Sequence, residues 1–290
     1  MRFSYAESMC DPTFYVPLAK AAEGAGFTTF LVPDSVLYPE ASDTRYPYTP
    51  TGDRRFLEDK PFLEPFSLIP ALGAVTSTIR FATFVLKLPI RSPVLVAKSV
   101  SSVAVLTGDR FSLGVGTSPW PEDFLACAQD WPTRGRRMDE MIAIIRGLLG
   151  GGYFEFHGTD YDLPRIKICP VPARPVPILI GGHSEAALRR AARIGDGWMH
   201  AGGDPAPLAA HLDRLAALCN EYGRDKAPFE IHASSLDAYS VEGVRRLEEM
   251  GVTDLVVGFR NPYTKRQDTQ TLDEKLDLLR QYADNVISRV

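Results

Sequence analysis

The chain has 290 residues, 45% apolar and 10% aromatic, with 23 glycines and 23 prolines. That is the make-up of a globular protein rather than a disordered, collagen-like or disulfide-stapled one. Its 32 basic and 36 acidic residues leave a formal charge of −4, so no overall positive field gathers nucleic acid or anionic lipid. No run nears the roughly 18 apolar residues of a membrane span, and the start MRFSYAESMCDP lacks a basic head followed by an apolar stretch. The expectation is a cytoplasmic protein that handles a small molecule, with neither nucleic acid nor membrane as partner.

Short β-rich runs recur, each followed by apolar residues at helical spacing, which is the pattern of β-α units around a parallel sheet. In chain order the predicted strands are 2–6, 28–32, 79–85, 111–115, 176–180, 197–200, 229–233 and 255–258. The helices that follow them are predicted at 14–25, 65–76, 93–106, 135–149, 184–194, 207–222, 241–250 and 272–286. Junctions such as Glu23-Gly24-Ala25-Gly26-Phe27 and Glu249-Met250-Gly251-Val252 supply the left-handed residue needed to leave a helix and enter a strand. Eight such units, taken as one domain over residues 1–290, match an α/β fold of the (β/α)8 barrel type, typically about 250 residues plus insertions. A doubly wound sheet is the structural rival. Two stretches break the rhythm: 36–63 reads as a long loop after the second strand, and 150–175 as a small β hairpin before the fifth. Both are expected to be functional loops.

Cys10, Cys127, Cys169 and Cys219 form no C-x-x-C pair, and the five histidines show no spacing that would set two ligands on one helical face. No metal is expected. In a β/α barrel the reacting groups sit at the carboxyl ends of the strands. That selects Glu7 and Ser8, Asp34 and Ser35, residues 84–87, 116–120 and 181–184, His200, His232 and Arg260. Gly181-Gly182-His183-Ser184 runs from a buried strand into a helix, and its amides with the Ser184 hydroxyl suit a phosphate. The same letters also read as a turn followed by a capping serine. Phe111 to Ser118 contains two of the three glycines of a dinucleotide fingerprint, but Pro119 and Trp120 follow, so a Rossmann site is disfavoured. Gly116 can admit a flat ring or serve close packing at the rim. The run Arg134-Gly135-Arg136-Arg137-Met138-Asp139-Glu140 can be read as an anion patch, but at a helix start it reads mainly as charges pairing within a turn or between neighbouring helices. Asp34 is either functional or a cap for a loop or helix; Lys87 is left open.

With these residues in view, the sequence resembles the luciferase-like monooxygenase superfamily, most closely its branch of oxidoreductases using the deazaflavin coenzyme F420. Four blocks carry the likeness. The first runs from Ala22-Glu23-Gly24-Ala25-Gly26-Phe27 to Val32-Pro33-Asp34, and the second from Ile79-Arg80-Phe81-Ala82-Thr83 through Leu88-Pro89 to Arg91 and Pro93. The third is Leu106-Thr107-Gly108-Asp109-Arg110 through Gly116, and the fourth Ile180-Gly181-Gly182-His183-Ser184 through Ala191-Ala192-Arg193 to Gly195-Asp196-Gly197-Trp198.

The resemblance implies a barrel holding a flavin-shaped ring at the strand ends and its phosphate after the fifth strand. It also implies a bulge with a non-proline cis peptide near Phe84 and Val85. On that basis Val85 and Phe84 support a ring face, Gly116 and Gly181 adjoin it, Gly182, His183 and Ser184 hold the phosphate, and Asp34 meets a polar cofactor edge. Trp120, Phe84 and Trp198 wall the pocket, with a core position for Trp198 as the other option. Ser35 stands where several F420 dehydrogenases carry a histidine, and Pro119 where some carry a glutamate. The catalytic group is therefore unassigned among Glu7, Asp34 and His200, with Tyr5, Glu122 and His183 as further proton donors. The function expected is hydride exchange between the deazaflavin C5 and a small organic substrate lying between the ring and the loops 36–63 and 150–175, in a homodimer. An FMN-dependent monooxygenase, a non-catalytic flavin-binding barrel and a cofactor-free sugar-phosphate isomerase are the alternatives.

Overall fold

The computed structural model describes every residue except 48, 50, 201–206 and 264–266. Its strands in chain order are β1 (Arg2–Ala6), β2 (Thr29–Val32), β3 (Arg80–Thr83), β4 (Leu86–Lys87), β5 (Phe111–Gly116), β6 (Phe154–His157), β7 (Asp162–Ile166), β8 (Ile178–Gly181), β9 (Gly197–His200), β10 (Glu230–Ser234) and β11 (Asp254–Val257). The helices are α1 (Tyr15–Gly24), α2 (Pro65–Gly73), α3 (Pro93–Leu106), α4 (Pro121–Ala126), α5 (Arg134–Leu149), α6 (Glu185–Ile194), α7 (Leu208–Glu221), α8 (Val241–Glu249) and α9 (Leu272–Asn285). Strands run side by side in the order β3-β2-β1-β11-β10-β9-β8-β5, and β3 pairs with β5 to close the ring. All these pairings are parallel. Eight strands with helices between them make the closed (β/α)8 barrel, and the doubly wound alternative is excluded by the closure.

Period-two alternation sorts the side chains. Phe3, Tyr5, Phe30, Phe81, Phe111, Leu113, Ile178, Ile180, Trp198, Leu255 and Val257 point out and pack beneath the helices in the main core. The barrel lumen holds a separate, small apolar layer of Leu31, Ala82, Leu179, Met199 and Val256. Below it the lumen is polar. Arg2 lies 2.6 Å from Asp254, Arg80 lies 3.5 Å from Glu230 and 2.8 Å from Ser112 Oγ, and His232 Nε2 lies 2.9 Å from Glu230 Oε2.

The single strand predicted at 79–85 is two strands. Phe84 still donates its amide to Val32 O at 2.7 Å, then the chain bulges and resumes as β4, which pairs with β5 through Leu86 and Lys87. Helix α4 has no counterpart among the predicted helices; Pro121 starts it and six residues complete it. The segment 36–63 is a long loop with one 3-10 turn at Arg55–Leu57, and residues 48 and 50 of it lie outside the described residues. The hairpin expected within 150–175 is present as antiparallel β6 and β7. Glu23 ties α1 to the entry of β3, its Oε1 accepting the amides of Ser77, Thr78 and Ile79 at 2.8, 2.6 and 2.9 Å.

Candidate active site at the barrel mouth

A cavity of about 1140 Å³ opens over the carboxyl ends of the barrel strands, above the roughly 300–1,000 Å³ of single-ligand pockets. Its floor is the lumen layer of Leu31, Met199 and Val256, with Ala6 and the bulge residues Phe84 and Val85. The Phe84–Val85 peptide is cis. A Cβ on Gly181 would lie 2.8 Å from Val85 Cγ1, and one on Gly116 2.9 Å from Val85 Cγ2. Both glycines line the cavity, and the space their missing side chains leave is taken by Val85, which is held between β5 and β8 as a small apolar platform.

Beyond β8 the chain turns through Gly182, whose φ of +116° lies in the left-handed half of the map that glycine adopts freely. Trp198 Nε1 donates to Gly182 O at 2.8 Å and fixes this turn from the core, so Trp198 takes the core position. Ser184 is the N-cap of α6, its Oγ accepting from Ala187 N at 3.3 Å. The amides of Glu185 and Ala186, in the first turn, have no intrahelical acceptor. The capping and anion-nest readings thus coexist at one residue. His183 lines the cavity and stacks on His200 with ring centroids 4.5 Å apart and planes at 22°. His200 itself is 5% exposed and is not among the described residues lining the cavity. It shares the outward parity of Trp198 on β9 and sits behind His183, next to Trp198 and His211.

Asp34 reaches the mouth with both carboxylate oxygens engaged. Oδ2 accepts the Lys87 amide at 2.8 Å and Oδ1 pairs with Arg91 Nη2 at 2.9 Å, while Arg91 Nη1 donates to Lys87 O at 2.8 Å. This clamp fixes β4 immediately after the bulge. Glu7 lines the cavity from the end of β1. It accepts the Tyr5 hydroxyl at 2.8 Å and the Lys275 ammonium at 3.2 Å, and Lys275 is also 2.8 Å from Asp268. Burial first, and then the Glu7 charge, push the Tyr5 phenol well above its ordinary value, so it stays a donor. Tyr5 and Glu122 do not themselves line the cavity.

Four cations line the cavity among the described residues: Lys87, Arg134, Arg190 and Arg260. Lys87 Nζ lies 2.7 Å from the buried Asp123, which also accepts Ser118 Oγ at 2.7 Å. Arg190 is paired with Asp139 and donates to Gly135 O at 3.0 Å. Arg260 lies 3.4 Å from Asp268 and donates to Ser8 O at 2.5 Å. Arg134 instead stacks over the Trp131 ring at 3.7 Å and donates to Trp131 O at 3.0 Å. The rest of its charged run behaves as expected, with Arg136 on Asp160 at 2.7 Å and Arg137 on Gln129 and the Asp130 carbonyl.

An aromatic roof covers part of the mouth. Tyr46 stacks on Trp120 at 5.7 Å and 18°, and meets Phe56 at 5.0 Å and Tyr263 at 5.8 Å. The loop 36–63 therefore contributes to the site, whereas no described residue of 150–175 lines it. The expectation that both insertions flank the site is corrected for the second. Glu140 of α5 accepts the amides of Thr159, Asp160 and Tyr161 at 2.8, 3.0 and 3.0 Å, which fastens the hairpin to the flank of the barrel. In its place stand Phe259, Arg260, Pro262 and Tyr263 after β11, and Trp131 and Arg134 before α5. Of these the sequence singled out Arg260, from its strand-end position, and Arg134, within a charged run read mainly as structural.

Among the described residues one group has metal-ligand spacing: one ligand atom each of Glu230, His232 and Asp254 lie within 4.8 Å of one another. It sits in the polar bottom of the lumen, away from the cavity, and Arg2 and Arg80 supply its counter-charge. No helix among the described residues is long and apolar enough to cross a membrane.

Comparison with known proteins agrees with this architecture. An uncharacterized protein of Mycobacterium tuberculosis (strain ATCC 25618 / H37Rv) is 57% identical over the whole of both chains. An F420-dependent glucose-6-phosphate dehydrogenase of Gordonia bronchialis is 28% identical over 80% of this chain and 64% of its own length. The coenzyme F420-dependent tetrahydromethanopterin reductase of Methanopyrus kandleri superposes with a TM-score of 0.73 at 14% identity, covering 99% of this chain and 98% of that one. That likeness shows the fold. The chain belongs to the luciferase-like monooxygenase family, whose model matches residues 4–280.

Proposed function

We propose that the chain is an F420-dependent oxidoreductase acting on a small, weakly polar organic substrate. The observation that carries this reading is the pairing, in one cavity, of the Val85 platform with the capped start of α6 at Gly182, His183 and Ser184. A flat ring over the platform would put its phosphate at the α6 amides. The F420-dependent relative of Gordonia bronchialis supports the choice of cofactor. When bound, the deazaflavin supplies a hydride carrier, the hard part of the chemistry.

The chain's own residues supply the rest. Val85, with Gly116 and Gly181 beneath it, supports one ring face; Ser184 and its neighbours hold the phosphate; Asp34 keeps the platform in place through Arg91 and the Lys87 amide. Tyr46, Phe56, Trp120 and Tyr263 exclude water from above. Glu7 is the group placed to hold or accept a proton at its carboxylate, because it faces the cavity with Oε1 hydrogen-bonded, among the described residues, only by the Ser8 amide at 3.3 Å, whereas both Asp34 oxygens are held at 2.8 and 2.9 Å and His200 lies behind His183. The substrate side offers aromatic surface, and its cations Lys87 and Arg260 already face carboxylates. That argues for an apolar or aromatic carbonyl-type compound over a sugar phosphate. Titrating the purified protein in parallel with F420 and FMN tests the assignment. Saturable binding of F420 is expected, and binding of FMN alone would overturn it in favour of an FMN-dependent monooxygenase.

A further inference from the structure

The charge pattern of the cavity wall is uneven. Both acids that face it, Glu7 and Asp34, are matched by Lys275 and Arg91. Of its cations, Lys87, Arg190 and Arg260 face Asp123, Asp139 and Asp268. Arg134 alone among the described lining residues has no carboxylate. Burial pulls its guanidinium below the ordinary value with nothing opposing, which is the condition of a partly desolvated cation without a counter-ion.

Its position is also defined. Arg190 projects from α6 and donates to Gly135 O at 3.0 Å, so the start of α5 abuts the helix whose first residues follow Ser184. Ser184, Ala187, Arg190, Gly135 and Arg134 all line the cavity, and the Arg190 bond to Gly135 O joins α6 to the start of α5. The Arg134 Cζ lies over the Trp131 ring at 3.7 Å and Nη1 donates to Trp131 O at 3.0 Å, which anchors the guanidinium and leaves Nε and Nη2 to meet a ligand. A guanidinium so oriented suits a carboxylate, which it can engage bidentately.

We propose that Arg134 binds a carboxylate of the cofactor's tail, beyond the phosphate, and so is a residue by which this chain distinguishes F420 from flavins that end at the phosphate. The inference rests on the F420 reading above. F420 continues past its phosphate into lactyl and glutamyl groups that carry carboxylates, whereas FMN ends at its phosphate. Arg134 would be a specificity residue and not a catalytic one.

The test titrates wild type, Arg134→Gln and Arg134→Lys with three ligands: F420 with its glutamate tail, the deazariboflavin 5′-phosphate that ends at the phosphate, and FMN. Arg134→Gln is expected to weaken F420 about tenfold, as befits a lost charge-assisted hydrogen bond, and to change the phosphate-terminated deazaflavin less than about twofold. Arg134→Lys should recover part of the loss, and the wild-type preference for the tailed ligand should narrow as salt is raised. Equal weakening of both deazaflavins would assign Arg134 to the phosphate and overturn the proposal, as would no change in either. Wild type that binds FMN and neither deazaflavin would overturn the F420 reading itself, and that arm is read before any variant is made.

Discussion

Asp34 lines the cavity, yet its carboxylate is held first by the protein's own chain. Its side chain is 2% exposed and engaged on both oxygens, by a backbone amide and a guanidinium. A direct cofactor contact would have to use a second lone pair on an oxygen that the protein already holds. Asp34→Asn keeps an acceptor for the Lys87 amide and leaves Arg91 without its counter-charge. Removing one partner of a buried pair costs roughly 3–5 kcal/mol, and Arg91 is 18% exposed at its side chain, so a loss of about 3 kcal/mol in denaturant unfolding is expected. Adding Arg91→Met should return part of it, because the two changes act on one interaction. A variant of unaltered stability whose cofactor affinity has collapsed would instead make Asp34 a direct ligand. The pair was not visible in the sequence, since 57 residues separate its members and nothing in the neighbouring residues shows that an acid is already paired. His200 differs. The alternation Trp198, Met199, His200 could have shown that His200 faces outward with the tryptophan while Met199 faces the lumen.

At the level of elements, the eight strands and their helices were legible because each carries its own period, two for strands and 3.6 for helices, and glycine punctuates the exits. What interrupts a period was not. The run 79–85 reads as one apolar strand, yet it splits at the bulge so that Val85 can occupy the gap over Gly116 and Gly181. The glycines themselves were legible as openings; the residue that fills them comes from the bulge between β3 and β4. Gly181→Ala tests this packing. Its Cβ would stand 2.8 Å from Val85 Cγ1, and overpacking of that kind costs typically about 1–3 kcal/mol. The ring platform would be displaced into the cavity, so cofactor affinity should fall together with stability. In the double variant with Val85→Ala the clash is gone, and the two stability losses should sum to more than the loss observed. Strict additivity would mean that Gly181 is needed for some reason other than Val85. The hairpin β6–β7 was equally legible as an element, but its place was not, because Glu140, the residue that fastens it, lies in α5.

For the molecule as a whole, the barrel carries opposite characters at its two ends: a cavity above the five-residue apolar layer and a charged plug below it. The plug makes an acid-stability prediction. Burial alone would raise the Glu230 carboxyl, but the hydrogen bond with His232 and the charges of Arg80 and Arg2 outweigh it and bring the group from 4.5 down to about 2. Because folding lowers this value, the carboxylate stabilises the fold fully above pH 4.5, and that contribution is lost as pH falls toward about 2. The size of the shift corresponds to roughly 3 kcal/mol. Glu230→Gln should therefore be less stable than wild type near neutrality and approach it near pH 2, flattening the acid limb of unfolding free energy measured in urea across that window. Glu23 titrates over the same range. Burial raises it and the amides of Thr78, Ile79 and Ser77 lower it to about 2, so Glu23→Gln is the necessary control. If Glu230→Gln keeps the full acid slope while Glu23→Gln removes it, the charge that resists acid lies at the junction of α1 with β3, and the lumen plug contributes little to the barrel's stability.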